Sequence, residues 1–307
     1  MDQPFHTVLD VPVTGGSLAV GMSGPASGAP VVLAVHGITG SHRSWVSVAR
    51  HLGDDVTLLA PDLRGRGASA QSGPYGMAAH VADLVAVLDH AGAASILGTP
   101  QAPGAAVLAG HSMGAYVVAR VAAAHPARAH AVALVDGGLV LAVPPDLEPD
   151  QVLEMVLGPA LARLRMTFES QEAYRDFWRA HPSFAGPGMW SADAENYVDY
   201  DLTGEPGQLR SRVSEEAVRA DGADLLDVEA VRRAFVALAC PTVVVRAPRG
   251  LLDESNPLLP EAAVAEAKAA LPHLVDVVVP DTNHYQLLLG DREAKAVADQ
   301  LRALCPR

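Results

Sequence analysis

The sequence predicts an α/β fold: a mostly parallel sheet wrapped by helices, with a helical segment inserted into its second half. Three observations carry this. Short β-branched runs alternate with longer alanine-rich stretches of helical pattern along the 307 residues. The apolar run 105–109 passes directly into Gly110-His111-Ser112-Met113-Gly114 and then into a helix-forming stretch, which reads as strand, tight turn and helix. The segment 144–233 contains no convincing strand and holds eight aromatics between Phe168 and Tyr200.

In chain order, 7–13 and 17–22, divided by Gly15-Gly16, read as a leading antiparallel hairpin. Buried strands are expected over 31–35, 56–60, 105–109, 131–135, 242–246 and 275–279. Helical patterns cover 45–52, 77–90, 112–124 and 261–271, and 292–304 closes the chain. Residues 144–233 form the expected cap, leaving 1–143 and 234–307 as the two parts of the sheet unit. Most cap aromatics are expected to build the cap's own small core, and a minority to face a pocket between cap and sheet. Trp178 and Trp190, with Tyr116 after the tight turn, are the candidates for substrate contact.

Half of the residues are apolar, enough for a large core with room for an insertion. A net charge of -13 argues against nucleic acid or an anionic membrane surface as partner. Cys240 and Cys305 stand far apart and imply no disulfide framework, which fits a reducing cytoplasm. The first residues show no charged-then-apolar leader. No apolar run reaches the ~18 residues of a membrane span. The expectation is a cytoplasmic globular protein, with which a homo-oligomer is compatible.

A serine at the centre of so tight a turn is forced into a strained backbone conformation, with its hydroxyl raised above the sheet edge. The following helix N-terminus offers free N–H groups and a positive dipole to an oxyanion. Taken alone, the pentapeptide is equally a glycine-flanked turn that contains a serine. A serine hydroxyl needs a base to take its proton during attack. Among the 12 histidines the candidate is His284, after the last core strand. His42, His51, His90, His125, His130, His181 and His273 lack supporting context, and His111 is expected to point away from the Ser112 hydroxyl. Asp62 and Arg64 are assigned to scaffolding, their charges pairing locally.

Four motifs now stand in order: His36-Gly37-Ile38-Thr39-Gly40, Asp62-Leu63-Arg64-Gly65-Arg66-Gly67-Ala68-Ser69, the Ser112 pentapeptide, and Asp281-Thr282-Asn283-His284-Tyr285. Together they resemble the α/β-hydrolase superfamily across nearly the whole chain, and the cap interrupts it where that family carries one. The resemblance implies an eight-stranded α/β-hydrolase sheet and Ser112 as nucleophile. It also implies an oxyanion hole built from the backbone N–H groups of Met113 and Ile38, with His36 bracing the oxyanion loop. The acid that orients the imidazole is open between two residues. Asp136 ends the strand over 131–135, as in superfamily branches such as haloalkane dehalogenases and some resorcylic-lactone hydrolases. Asp253 follows 242–246, the commoner location, but Pro248-Arg249-Gly250-Leu251-Leu252 intervene. Either also suits a turn; Asp136 is favoured and Asp253 is the alternative.

The implied activity is a cofactor-independent serine hydrolase acting on an ester or lactone of a mainly apolar small molecule. Serine at the turn argues against haloalkane dehalogenases and epoxide hydrolases, which use an aspartate nucleophile there. A carbon–carbon bond hydrolase with the same triad, and a non-catalytic hydrolase-fold binding protein, are the alternatives. The sequence has no phosphate loop, His-Glu-x-x-His, paired-cysteine site or Gly-x-Gly-x-x-Gly after a strand, so neither metal nor other cofactor is expected.

Overall fold

The computed structural model describes residues 4–94, 96, 105–141, 146–186 and 188–306. The chain opens on the hairpin β1 (Thr7–Val13) and β2 (Gly16–Ser23), followed by β3 (Val31–Val35), α1 (Val46–Leu52), β4 (Thr57–Pro61) and α2 (Met77–Ala93). Next come β5 (Ala106–His111), α3 (Met113–Ala124) and β6 (Ala129–Val135). The inserted segment holds α4 (Pro149–Leu157), α5 (Pro159–Ala162), α6 (Gln171–Arg179), α7 (Ala192–Tyr200), β7 (Leu202–Thr203), β8 (Arg210–Ser211), α8 (Glu215–Leu225) and α9 (Val228–Val236). The chain ends with β9 (Thr242–Arg246), α10 (Glu261–Ala270), β10 (Val275–Val278), α11 (Gln286–Leu289) and α12 (Asp291–Leu304).

Eight strands form one sheet in the order β1-β2-β4-β3-β5-β6-β9-β10. Only β2 runs antiparallel to its neighbours β1 and β4; the other pairs are parallel. Every residue of β3, β4, β5 and β9 is buried. That is why these strands read as continuous apolar runs: helices cover both faces. One face packs on α2, α3 and α10 through Leu84, Val117 and Val264. The other packs on α1 and α12 through Val48 and Val297. In α12 the buried residues Ala294, Val297, Ala298 and Leu301 recur at helical spacing, which lays one stripe on the sheet. Among the described residues, no helix is long and apolar enough to cross a membrane.

The inserted segment departs from expectation in two ways. β7 and β8 pair antiparallel, and Phe168 bridges to Leu209; ladders of two residues are too short to leave an alternating signal. α9 runs through the expected boundary at 233 and packs on α3, so it belongs to the sheet layers. The expected boundary at 143–144 lies outside the described residues.

Strand order places the site. β3 has β4 on one side and β5 on the other, so the chain reverses direction across the sheet there. In open α/β sheets a crevice forms at such a reversal, beyond the carboxyl ends of the strands.

Candidate active site

Three strand ends converge on that crevice: β3 runs into His36-Gly37-Ile38, β5 into Ser112 and β6 into Asp136. Ser112 adopts φ 54°, ψ −123°, a conformation that costs a non-glycine residue about 1–3 kcal/mol. Its neighbours hold it there. Ser112 N–H donates to the Val135 carbonyl at 2.9 Å, and α3 begins at the next residue. A Cβ on Gly114 would fall on the Val35 carbonyl oxygen, so this strand–helix crossing admits only glycine. A Cβ on Gly37 would come within 3.1 Å of Ser112 Cβ, so glycine there lets the Ile38 loop lie against the serine.

Asp136 is fully buried and divides its carboxylate between two donors. Ala247 N–H, just past β9, donates to Oδ1 at 3.2 Å. His284 Nδ1–H donates to Oδ2 at 2.7 Å. That bond assigns the tautomer and leaves Nε2 as the lone-pair nitrogen of the neutral ring. Ser112 and His284 line one cavity with Gly37, Ile38, Thr39 and Gly40. A carboxylate-anchored imidazole beside a strained serine at a helix N-terminus is an arrangement able to carry nucleophilic acyl transfer.

The profile of the alpha/beta hydrolase family matches residues 31–300. The chain belongs to the alpha/beta hydrolase family. Lipase LipV of Mycobacterium tuberculosis is 37% identical over 121 residues, 39% of this chain and 41% of that lipase, so the match spans less than half of it. The 2-(acetamidomethylene)succinate hydrolase of Mesorhizobium japonicum is 29% identical over 256 residues, 83% of this chain and 82% of that enzyme. A solved structure of E-2-(acetamidomethylene)succinate hydrolase has a TM-score of 0.75 and 23% identity, covering 95% of this chain and 98% of that one, and shares its fold.

In this hydrolase Asp253 stands away from the imidazole bond. Its Oδ1 accepts from Asn283 Nδ2–H at 2.9 Å and lies 2.9 Å from Arg249 Nε. Asn283 Oδ1 in turn accepts the Tyr285 and Gln286 N–H groups, so Asp253 braces the turn that carries His284. His36 Nδ1–H donates to the Gly37 carbonyl at 2.7 Å, and its Nε2 accepts from Leu63 N–H at 2.9 Å. Burial pushes His36 down to about 4, which preserves that acceptor nitrogen.

Two expectations need correction. Asp62 and Arg64 do not pair locally: Arg64 grips Asp83 at 2.7 and 2.6 Å. Asp62 instead accepts from His42 N–H at 2.7 Å, His42 Nδ1–H at 2.9 Å and the Tyr200 hydroxyl of α7 at 2.6 Å. Burial pushes the Asp62 carboxyl up, but the charge and hydrogen bonds of His42, with His36 behind them, together outweigh it and leave it at about 2. His111 packs on the imidazole. It lines the Ser112 cavity, its ring 4.3 Å from the His284 ring and its Nε2–H donating to the His284 carbonyl at 3.0 Å. Burial, and then His284, hold it well below its ordinary value.

Second, Trp178 and Trp190 line neither cavity at Ser112. Trp178 packs inside the inserted segment against Phe184 at 5.0 Å, and Trp190 Nε1–H donates to Glu195 at 2.8 Å. Both side chains are spent on the inserted segment's own aromatic cluster. Tyr116 does line a second cavity of about 50 Å³ with Ile38, Ser112 and Met113, its hydroxyl donating to the Leu139 carbonyl at 2.6 Å. The wall missed from the sequence is aliphatic: Val152, Leu153, Val156 and Leu157 of α4, with Leu225 and Leu226. The spacing 152, 153, 156, 157 was its only sequence signal, an apolar stripe without a stated partner. Among the described residues, no Asp, Glu, Lys or Arg lines either cavity. No cluster of three or more His, Cys, Asp and Glu among them could hold a metal ion.

Proposed function

We propose that this hydrolase cleaves a neutral carboxylic ester or lactone with a short aliphatic acyl group, through an acyl-enzyme on Ser112. The observation that carries the reading is the 2.7 Å Asp136–His284 bond, opening onto a cavity that Ser112 shares. In this reading His284 Nε2 takes the Ser112 proton as Oγ attacks the carbonyl carbon. The N–H groups of Ile38 and Met113 hold the oxyanion, a contribution of about 2.7–4 kcal/mol per donor. Asp136 stabilises the imidazolium without taking its proton. The imidazolium then protonates the leaving alcohol, and His284 activates the water that releases the acid. Among the described residues no hydrogen bond yet joins Ser112 Oγ to His284, and such bonds commonly tighten once substrate is bound.

The lining supports the substrate class. The two cavities measure about 30 and 50 Å³, well short of the ~300 Å³ that drug-sized ligands need. The second cavity is walled by aliphatic side chains and the first adds Tyr197 and Tyr285. This lining, without Asp, Glu, Lys or Arg among the described residues, matches a small neutral acyl group better than the succinate named for one relative, whose carboxylates would call for a cation. The lipase relative supports an ester.

The test is a p-nitrophenyl ester series from acetate to octanoate, with a fluorophosphonate probe beside it. Hydrolysis that favours the short esters, and labelling lost in Ser112→Ala, are expected. An unlabelled, inactive wild type would favour the non-catalytic binding protein. Labelling without ester turnover would favour the carbon–carbon hydrolase.

A further inference from the structure

We propose that two buried arginines, Arg66 and Arg163, are positioning residues that set the oxyanion loop and make its geometry depend on the seated inserted segment. The proposal rests on the reading of Ile38 N–H as an oxyanion donor. In a trans peptide the N–H points opposite to the carbonyl of the preceding residue, so the loop's carbonyls control the direction of its N–H groups. Three successive carbonyls are held here. The Gly37 carbonyl, anti to Ile38 N–H, accepts from His36 Nδ1–H at 2.7 Å and from Gly40 N–H at 3.0 Å. The Ile38 carbonyl accepts from Arg66 Nε–H at 2.9 Å. The Thr39 carbonyl accepts from Arg163 Nη2–H at 3.1 Å.

The first clamp belongs to the sheet domain, whereas the other two reach across the crevice. Arg66 follows β4, and its Nη1 lies 2.6 Å from Asp221 Oδ2 on α8. Asp221 also takes His80 Nε2–H at 2.9 Å and Gly76 N–H at 2.8 Å. Arg163, just past α5, lies 3.1 Å from Asp201 Oδ2 at the end of α7, and its Nε–H donates to the Tyr174 hydroxyl at 3.0 Å. Both guanidinium groups are excluded from solvent. A buried ion pair is a poor way to gain stability alone, since desolvation offsets its attraction. What a planar, permanently charged fork adds is direction. Arg66 meets the Ile38 carbonyl through Nε and the Asp221 carboxylate through Nη1. Arg163 brings Nη2 to both the Thr39 carbonyl and the Asp201 carboxylate, with Nε fixed on Tyr174. If the inserted segment lifts, Arg66 loses its Asp221 anchor and Arg163 leaves with the segment, so the oxyanion loop loses the clamps on the two peptides that follow the one carrying Ile38 N–H.

The full chain carrying Arg66→Lys or Arg163→Lys tests this, because an ammonium keeps the charge but lacks the planar fork that fixes the direction of the donated hydrogen bonds. Asp221→Asn and Asp201→Asn loosen the anchors while keeping both arginines, and they decide the matter if the lysine variants fail to fold. The readouts are kcat and KM on p-nitrophenyl butyrate per site titrated to completion with fluorophosphonate, and inhibition by a trifluoromethyl ketone, whose hemiketal oxygen occupies the hole. A misplacement of this kind predicts a kcat loss of about 10²-fold with KM within about threefold, and a matching loss of ketone affinity. A merely structural role would lower the melting temperature while leaving kcat per titrated site unchanged. Folded variants that keep wild-type kcat per site overturn the clamp and leave the Ser112 reading intact. A wild type that fluorophosphonate does not label overturns both.

Discussion

Asp136 and Asp253 show how far single residues can be read. Each follows a strand, each stands at positive φ, and each suits a turn, so composition and spacing leave both open. Three-dimensional placement separates them. β6 lies between β5 and β9, so a residue at its carboxyl end faces Ser112 on one side and Ala247 on the other. Asp253 sits in a tight turn, its N–H donating to the Gly250 carbonyl at 3.3 Å, and that turn hands its carboxylate to Arg249 and Asn283. In the proposed mechanism Asp136→Asn should cut kcat on p-nitrophenyl butyrate by about 10⁴-fold, because the amide disfavours the required tautomer. Asp253→Asn loosens only the turn behind His284 and should cost about tenfold at most. The reverse ranking would transfer the acid's role to Asp253.

Elements were legible in proportion to how completely their environment repeats along the chain. The central strands are covered on both faces, so each reads as an apolar run of its own length. α4 was harder. Its stripe of Val152, Leu153, Val156 and Leu157 declares an apolar face but not that the face closes over Ser112. The aromatics nearby drew the substrate-contact expectation instead, yet two of the three side chains named pack elsewhere. Leu157 reaches both cavities, so it is the element's sharpest probe. Leu157→Ala should shift the preferred p-nitrophenyl ester towards longer acyl chains while costing about 2–5 kcal/mol of stability. An unchanged chain-length profile would remove α4 from the acyl wall.

At the scale of the whole molecule, histidines buried in the neutral form couple folding to pH. His36 is lowered from an ordinary 6.5 to about 4 by burial, which outweighs the opposing pull of Asp62. His181 is lowered to about 4 by burial and by Arg163, and His111 lies well below its ordinary value. For a depressed histidine the unfolded chain binds the proton first. The neutral ring's stabilisation is therefore present above pH ~6.5 and is lost progressively as pH falls towards ~4, for His36 a swing of about 3 kcal/mol. Asp62 and Asp221, both held at about 2, lose their contribution only below pH ~4. The melting temperature should therefore decline between pH 6.5 and 4, before these carboxylates titrate. A flat profile across that window, measured by thermal melting, would contradict it.

What the sequence determined by itself was the parallel sheet, the strained turn at Ser112 and a short roster of candidates around it. These rest on local physics: the period of the strand or helix, and the small space between a strand and the helix that follows. The tertiary structure alone decided that Asp136 meets His284 across 148 positions, that aliphatic α4 covers the serine, and that Arg66 and Arg163 reach loop carbonyls. Those meetings depend on strand order and on where the inserted helices land. No residue's immediate neighbours in the chain carry that information.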